Sequence, residues 1–67
     1  KDKLKIETFG KEFFSYIIYN QQGHIFKSGN ITEPSQEINI VDIIPGIYYL
    51  KLFNTRLMGL NKLVILP

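Results

Sequence analysis

The sequence predicts an all-β domain, a small immunoglobulin-like antiparallel β-sandwich of about six to seven strands. Three observations carry that expectation. First, the apolar residues are mostly β-branched or aromatic: the 67 residues include eleven isoleucines, five phenylalanines and four tyrosines, and no alanine. Such side chains fit a pleated, half-buried surface, whereas alanine is the best helix former. Second, short runs with a two-residue period recur along the chain, separated by Gly, Pro and Asn. That spacing suits hairpin-linked strands in a sandwich or an open barrel. Third, no stretch shows a 3.6-residue apolar period of helical length.

The elements follow in order. Leu4, Ile6 and Thr8 alternate with Lys3, Lys5 and Glu7, a first strand with one wet face. Phe9-Gly10-Lys11 reads as a break. A second strand covers residues 13–20, with Phe14, Tyr16 and Ile18 on one face and Phe13, Ser15, Ile17 and Tyr19 on the other. Because both faces are largely apolar, this strand belongs in the centre of a sheet, or one face meets another surface. Asn20-Gln21-Gln22-Gly23 is a hairpin turn in which Gly23 takes positive φ. A third strand covers 24–28 and ends at Gly29-Asn30.

Residues 31–35 read as a loop, because Pro34 cannot donate a ladder hydrogen bond. Residues 37–40 form a short fourth strand with Ile38 and Ile40 on one face. Val41-Asp42-Ile43-Ile44 breaks that parity as a turn-like or one-turn helical segment that drops Ile43 into the core. Pro45-Gly46 makes a tight corner into a fifth strand, 47–54, whose Tyr48, Leu50 and Leu52 share a face. Asn54-Thr55-Arg56 is a turn signal, and residues 60–66 form the last strand.

This length allows one domain, residues 1–67, with a small core and no cysteine to staple it. Lys1 opens the chain without an initiator methionine or a signal peptide, so the sequence reads as a fragment of something longer. The net charge of +2 is small and dispersed, which argues against nucleic acid. No apolar run approaches the roughly 18 to 20 residues of a membrane span.

Candidate chemistry is sparse, and the reading is that of a non-catalytic domain without cofactor or metal. His24 is the single histidine and stands beside a turn. Ser15, Ser28 and Ser35 have no partners in a triad pattern, and the six acidic residues are spread singly. Phe13, Tyr16, Tyr19, Tyr48 and Tyr49 offer a possible stacking platform for bases or sugars, but packing is the better reading for most of them. Tyr19 and Tyr49 face away from the main core and are the ones expected to be exposed, free to bind a partner or another domain.

The order of the segments carries a resemblance. Leu4-Lys5-Ile6 is followed by Tyr16-Ile17-Ile18-Tyr19-Asn20-Gln21-Gln22-Gly23 and Ser28-Gly29. Then come Glu37-Ile38-Asn39-Ile40, Ile43-Ile44-Pro45-Gly46-Ile47-Tyr48 and Asn61-Lys62-Leu63-Val64-Ile65. Over essentially its whole length the chain resembles the type A C-terminal sorting domains of type IX secretion cargo proteins from Bacteroidetes. The Asn-Pro that usually opens this family is absent. Asn20 matches its Asp or Asn after strand two, and Lys62 matches the lysine that leads its last strand.

The resemblance implies a sorting signal, with residues 1–67 the C-terminal fragment of a larger exported protein. Such domains pass through the periplasm and are recognised by the outer-membrane translocon. They are then removed by a sortase-like component, leaving the cargo at the cell surface or secreted. The motif it points to comprises Gly23, Pro45, Gly46, Tyr48, Lys62, Leu63, Val64 and Ile65. On this reading Pro45 and Gly46 fix the corner, Tyr48 anchors the strand, and Lys62 with the strand after it is presented to the machinery. Equally, Pro45, Gly46 and Tyr48 could serve the fold alone. The rival readings are a carbohydrate-binding or adhesive β-sandwich, or a structural spacer, attached to a larger secreted enzyme. Self-association through sheet edges is a further expectation.

Overall fold

A computed structural model describes residues 3–8 and 12–67, which form six strands and no helix. The strands are β1 (Lys3–Glu7), β2 (Phe14–Asn20), β3 (Ile25–Ile31), β4 (Ser35–Asn39), β5 (Gly46–Phe53) and β6 (Met58–Ile65). They make two antiparallel sheets, β1-β4 and β3-β2-β5-β6. This is the expected immunoglobulin-like sandwich. The shortest extent, 15 Å between Cα atoms, leaves room for two layers about 10 Å apart and no third. The break expected at Phe9-Gly10-Lys11 lies outside the described residues.

The core lies between the sheets. Ile6 and Ile38 come from the small sheet, and Tyr16, Ile18, Ile31, Tyr48, Leu50 and Ile65 from the large one. Ile40 and Ile43 plug the end where β4 turns towards β5. Ile18 and Ile31 are sealed from solvent. As expected from its two apolar faces, β2 is central, flanked by β3 and β5. Ile43 does drop into the core, held by an amide donation from its own backbone to the Ile40 carbonyl at 3.0 Å.

The third strand differs most from expectation. Gly29-Asn30 does not end it, and Ile31 opens no loop. The strand runs on to Ile31, which is among the most buried side chains. Gly29 lies directly opposite Tyr16, whose ring covers it. A Cβ on Gly29 would meet Tyr16 Cε2 at 2.8 Å. The glycine therefore makes room for an aromatic side chain inside the sheet rather than ending the strand. A register shift between Ile18 and Tyr19 leaves Phe26 without a partner, and its ring packs edge-on to Tyr48 with centroids 5.2 Å apart.

Other boundaries move by one or two residues. β2 begins at Phe14, leaving Phe13 exposed. β4 starts at Ser35, inside the expected loop, and ends before Ile40; β5 takes in Gly46 and stops short of Asn54. β6 starts at Met58, two residues earlier than its pattern suggests, and ends before Leu66.

Three asparagines close the turns by the same device, a side-chain carbonyl accepting backbone N–H groups ahead of it. Asn20 Oδ1 accepts from Gln22 at 3.0 Å and His24 at 2.9 Å. Asn39 Oδ1 accepts from Val41 at 3.0 Å. Asn54 Oδ1 accepts from Arg56 and Leu57, both at 2.8 Å.

Candidate functional site: the last strand and the corner beside it

The corner between β4 and β5 is locked from both sides. The Tyr48 hydroxyl donates to the carbonyl of Ile44, four residues upstream, closing a loop around Pro45 and Gly46. The Tyr48 side chain is buried, so one residue both fills the core and fastens the backbone. From β3, the Lys27 ammonium donates to the Asn39 carbonyl and pairs with Asp42 Oδ1 at 3.3 Å.

The two motif glycines differ. Gly23 has φ +87°, and a Cβ there would have nothing within 4 Å. Its requirement is purely conformational. Gly46 has φ +158°, which side-chain-bearing residues also rarely adopt, and a Cβ there would in addition meet the Tyr48 ring at an ordinary 3.6 Å.

The last strand presents alternate residues to opposite sides. Leu63 packs against the core and Ile65 is buried within it. Lys62 and Val64 are exposed on the outer side, as are Leu60 and Met58. Lys62 therefore sits within β6 rather than leading it. Among the described residues β6 pairs with β5 alone, so its far edge is an open edge of the large sheet. The eight motif residues thus divide. Tyr48, Leu63 and Ile65 turn inward, Gly23, Pro45 and Gly46 shape turns, and Lys62 and Val64 alone among the last-strand residues of the motif offer side chains to solvent.

The outer side of the large sheet is apolar over much of its area. Opposite residues of an antiparallel pair share a face. Ile17 lies beside Lys51 and Leu60, Tyr19 beside Tyr49 and Lys62, Ile47 beside Val64, and Phe53 beside Met58. The Tyr19 and Tyr49 rings, expected to be exposed, pack on each other at 5.8 Å with a 32° tilt and are half-buried. They form a packed pair rather than a coplanar row. The Lys51 ammonium lies 5.4 Å from the Phe53 ring centroid.

At the far end of this face the β5–β6 turn is pinned to the segment entering β2. Asn54 Nδ2 donates to Glu12 Oε1 at 3.1 Å and to the Phe13 carbonyl at 3.2 Å. Arg56 pairs with both oxygens of Glu12. The hydrogen bond from Arg56 holds the Glu12 carboxyl below the usual carboxylate range, outweighing the opposing effect of desolvation, and raises Arg56 in turn. An open depression of about 620 Å³ lies here, and among the described residues its single charged lining group is this engaged Glu12. Among the described residues, no three His, Cys, Asp or Glu side chains gather as metal ligands, and no helix is long and apolar enough to cross a membrane.

No curated protein and no solved structure matches the chain. Residues 1–66 match the family described as the secretion system C-terminal sorting domain. That family is in general non-catalytic, and a match from the first strand to the last covers every element described above. The chain belongs to the C-terminal sorting domains of type IX secretion, the signals that send a protein to the cell surface or the extracellular space.

Proposed function

We propose that the secretion machinery reads this signal as a folded module, along the open edge of β6, after the cargo has entered the periplasm. Lys62 and Val64 are the side chains presented. Gly23, Pro45, Gly46 and Tyr48 act through the fold, and Leu63 and Ile65 hold β6 on the core. The reader is the outer-membrane translocon, and a sortase-like component removes the domain afterwards. The observation that supports this reading is the alternation along β6: of the four consecutive residues Lys62 to Ile65, two are outward and two packed inward. A sheet edge offers backbone groups for recognition and alternate side chains for specificity.

The experiment fuses the chain to the C-terminus of a periplasmic reporter in a bacterium with a type IX system. The wild-type fusion is expected at the surface or in the medium. The double variant Lys62→Ala, Val64→Ala is expected to keep its melting temperature within a few degrees and to lose most export. Wild-type export by that folded variant overturns the assignment of β6 as the surface that is read.

A further inference from the structure

The β6 edge also carries information about the chemistry of whatever docks there. Three features of the described residues converge on it. The first is charge. The outer face of the large sheet holds Lys51 and Lys62 and no carboxylate. The described acids are elsewhere: Glu7 and Glu37 on β1 and β4, Glu12 on Arg56, Glu33 in the β3–β4 loop and Asp42 beside Lys27. The second is the edge itself. The opposite edge, β3, is blunted by the bulge at Phe26, a device that discourages strand addition. β6 has an unbroken register with β5 from Met58 to Ile65 and leaves its outer side open. The third is a groove of about 230 Å³ on the inner side of β6, between the two sheets. Leu4, Ile40, Leu63 and Ile65 line it, with Lys3 and Leu66 among its other walls.

We propose that β6 accepts an added strand from a protein of the export machinery, and that this strand is largely apolar with a carboxylate at the position that faces Lys62. The proposal rests on the reading of β6 given above and adds the partner's chemistry. A strand paired to β6 sends alternate side chains to each side. Those on the inner side lie over the Leu4–Leu63–Ile65 groove and are apolar. Those on the outer side stand beside Met58, Leu60, Lys62 and Val64 and are apolar or uncharged except beside Lys62, where a carboxylate is favoured and a like charge is unfavourable. A second copy of this chain fits less well. Pairing β6 with itself in the antiparallel sense, outer face to outer face, extends a lysine-bearing surface with no carboxylate to meet it. An anionic membrane would meet the lysines but could not satisfy the open backbone edge.

The test titrates the isotopically labelled chain with two short synthetic peptides of alternating valine and threonine, one with a single central glutamate in place of a threonine, the other with a lysine there, and follows backbone amides by NMR. The glutamate peptide is expected to shift the amides of residues 58–65, with the lysine peptide at least tenfold weaker. Lys62→Glu, with an unchanged melting temperature, is expected to reverse that preference. Equal binding of both peptides, or of neither, overturns the proposal. So does a concentration-dependent dimer that occupies β6 without peptide, or binding to anionic phosphatidylglycerol vesicles in place of the glutamate peptide. Failure of the wild-type reporter fusion to leave the periplasm would instead count against the sorting reading, and the peptide titration is independent of that result.

Discussion

The two faces of the β3-β2-β5-β6 sheet are made of much the same residue types. Tyr16, Ile18, Tyr48 and Leu50 lie on the inner face, and Ile17, Tyr19, Ile47 and Tyr49 on the outer. The inner set is buried against Ile6, Ile38 and Ile43, while the outer set is half-buried or exposed and has no second layer. Tyr48 and Tyr49 are adjacent in the chain and have different surroundings. One is fastened to the Ile44 carbonyl inside the corner, and the other leans on Tyr19. Apolar character alone therefore does not mark the core. The face covered by the small sheet holds the molecule together, and the other face, with the β6 edge beside it, has no such layer among the described residues.

The sharpest way to break this contrast is to truncate neighbours on the two faces of β2. Ile18→Ala removes a side chain with no solvent exposure and is expected to cost about 2–5 kcal/mol in urea unfolding. Ile17→Ala, one residue away on the uncovered face, is expected to cost about 1 kcal/mol or less. Equal losses would mean that the outer face is as much a core as the inner one.

Gly29→Ala probes the inner face by overfilling it. The new methyl would stand 2.8 Å from Cε2 of Tyr16, a ring held in the core, and the expected loss is about 1–3 kcal/mol. Gly23→Ala, where there is open space and the difficulty is φ, makes a useful control. If Gly29→Ala is neutral, the Tyr16 ring has room to move and the strand tolerates a side chain there.

Gly29 also shows where the sequence stopped being legible. The period-two runs of β1, β2 and β5 and the Pro45-Gly46 corner could be read locally, because each depends on neighbouring residues. The course of β3 could not. A Ser28-Gly29-Asn30 run has the composition of a turn, and only the Tyr16 ring across the ladder makes it a strand interior. The same limit applies to the functional motif. Its residues were recognisable by their order, but which of them face outward depends on pairing. Lys62 and Val64 are outward because β5 fixes the register of β6 with Ile65 on the core side. The outer apolar face was half visible, through Tyr19 and Tyr49. Its partners Leu60, Met58 and Phe53 joined it only once the strands were aligned.

Tyrosine hydroxyls give a finer test of the same contrast. Tyr48→Phe removes the donation to the Ile44 carbonyl and is expected to cost about 0.5–1.5 kcal/mol, at the low end because Ile44 is exposed and water can replace the donor. Tyr49→Phe removes a hydroxyl that makes no side-chain hydrogen bond among the described residues, and its urea midpoint is expected to stay where it is. A larger loss for Tyr49→Phe would reveal a structural role on the outer face.

The smallest effect concerns the turn where the two faces meet, and its sign follows from the charges. Arg56 and Asn54 favour the ionised form of Glu12, so its pKa in the folded protein lies below that in the unfolded chain. The unfolded state then binds the proton more readily, and the contribution of this cluster is present above the unfolded pKa. It disappears as pH falls through the lowered folded value. Because these groups are solvent-exposed, screening keeps the effect on global stability small. The expected signature is local: on acidification below the ordinary carboxylate range, the amide resonances of Arg56 and Leu57 move with the titration of Glu12, while those of Ile18 and Leu50 do not. Arg56→Gln should move that titration upward towards the ordinary value. If the core amides follow the same acid transition, the β5–β6 turn is coupled to the inner face, and the separation between a structural face and a free one fails at that end of the sheet.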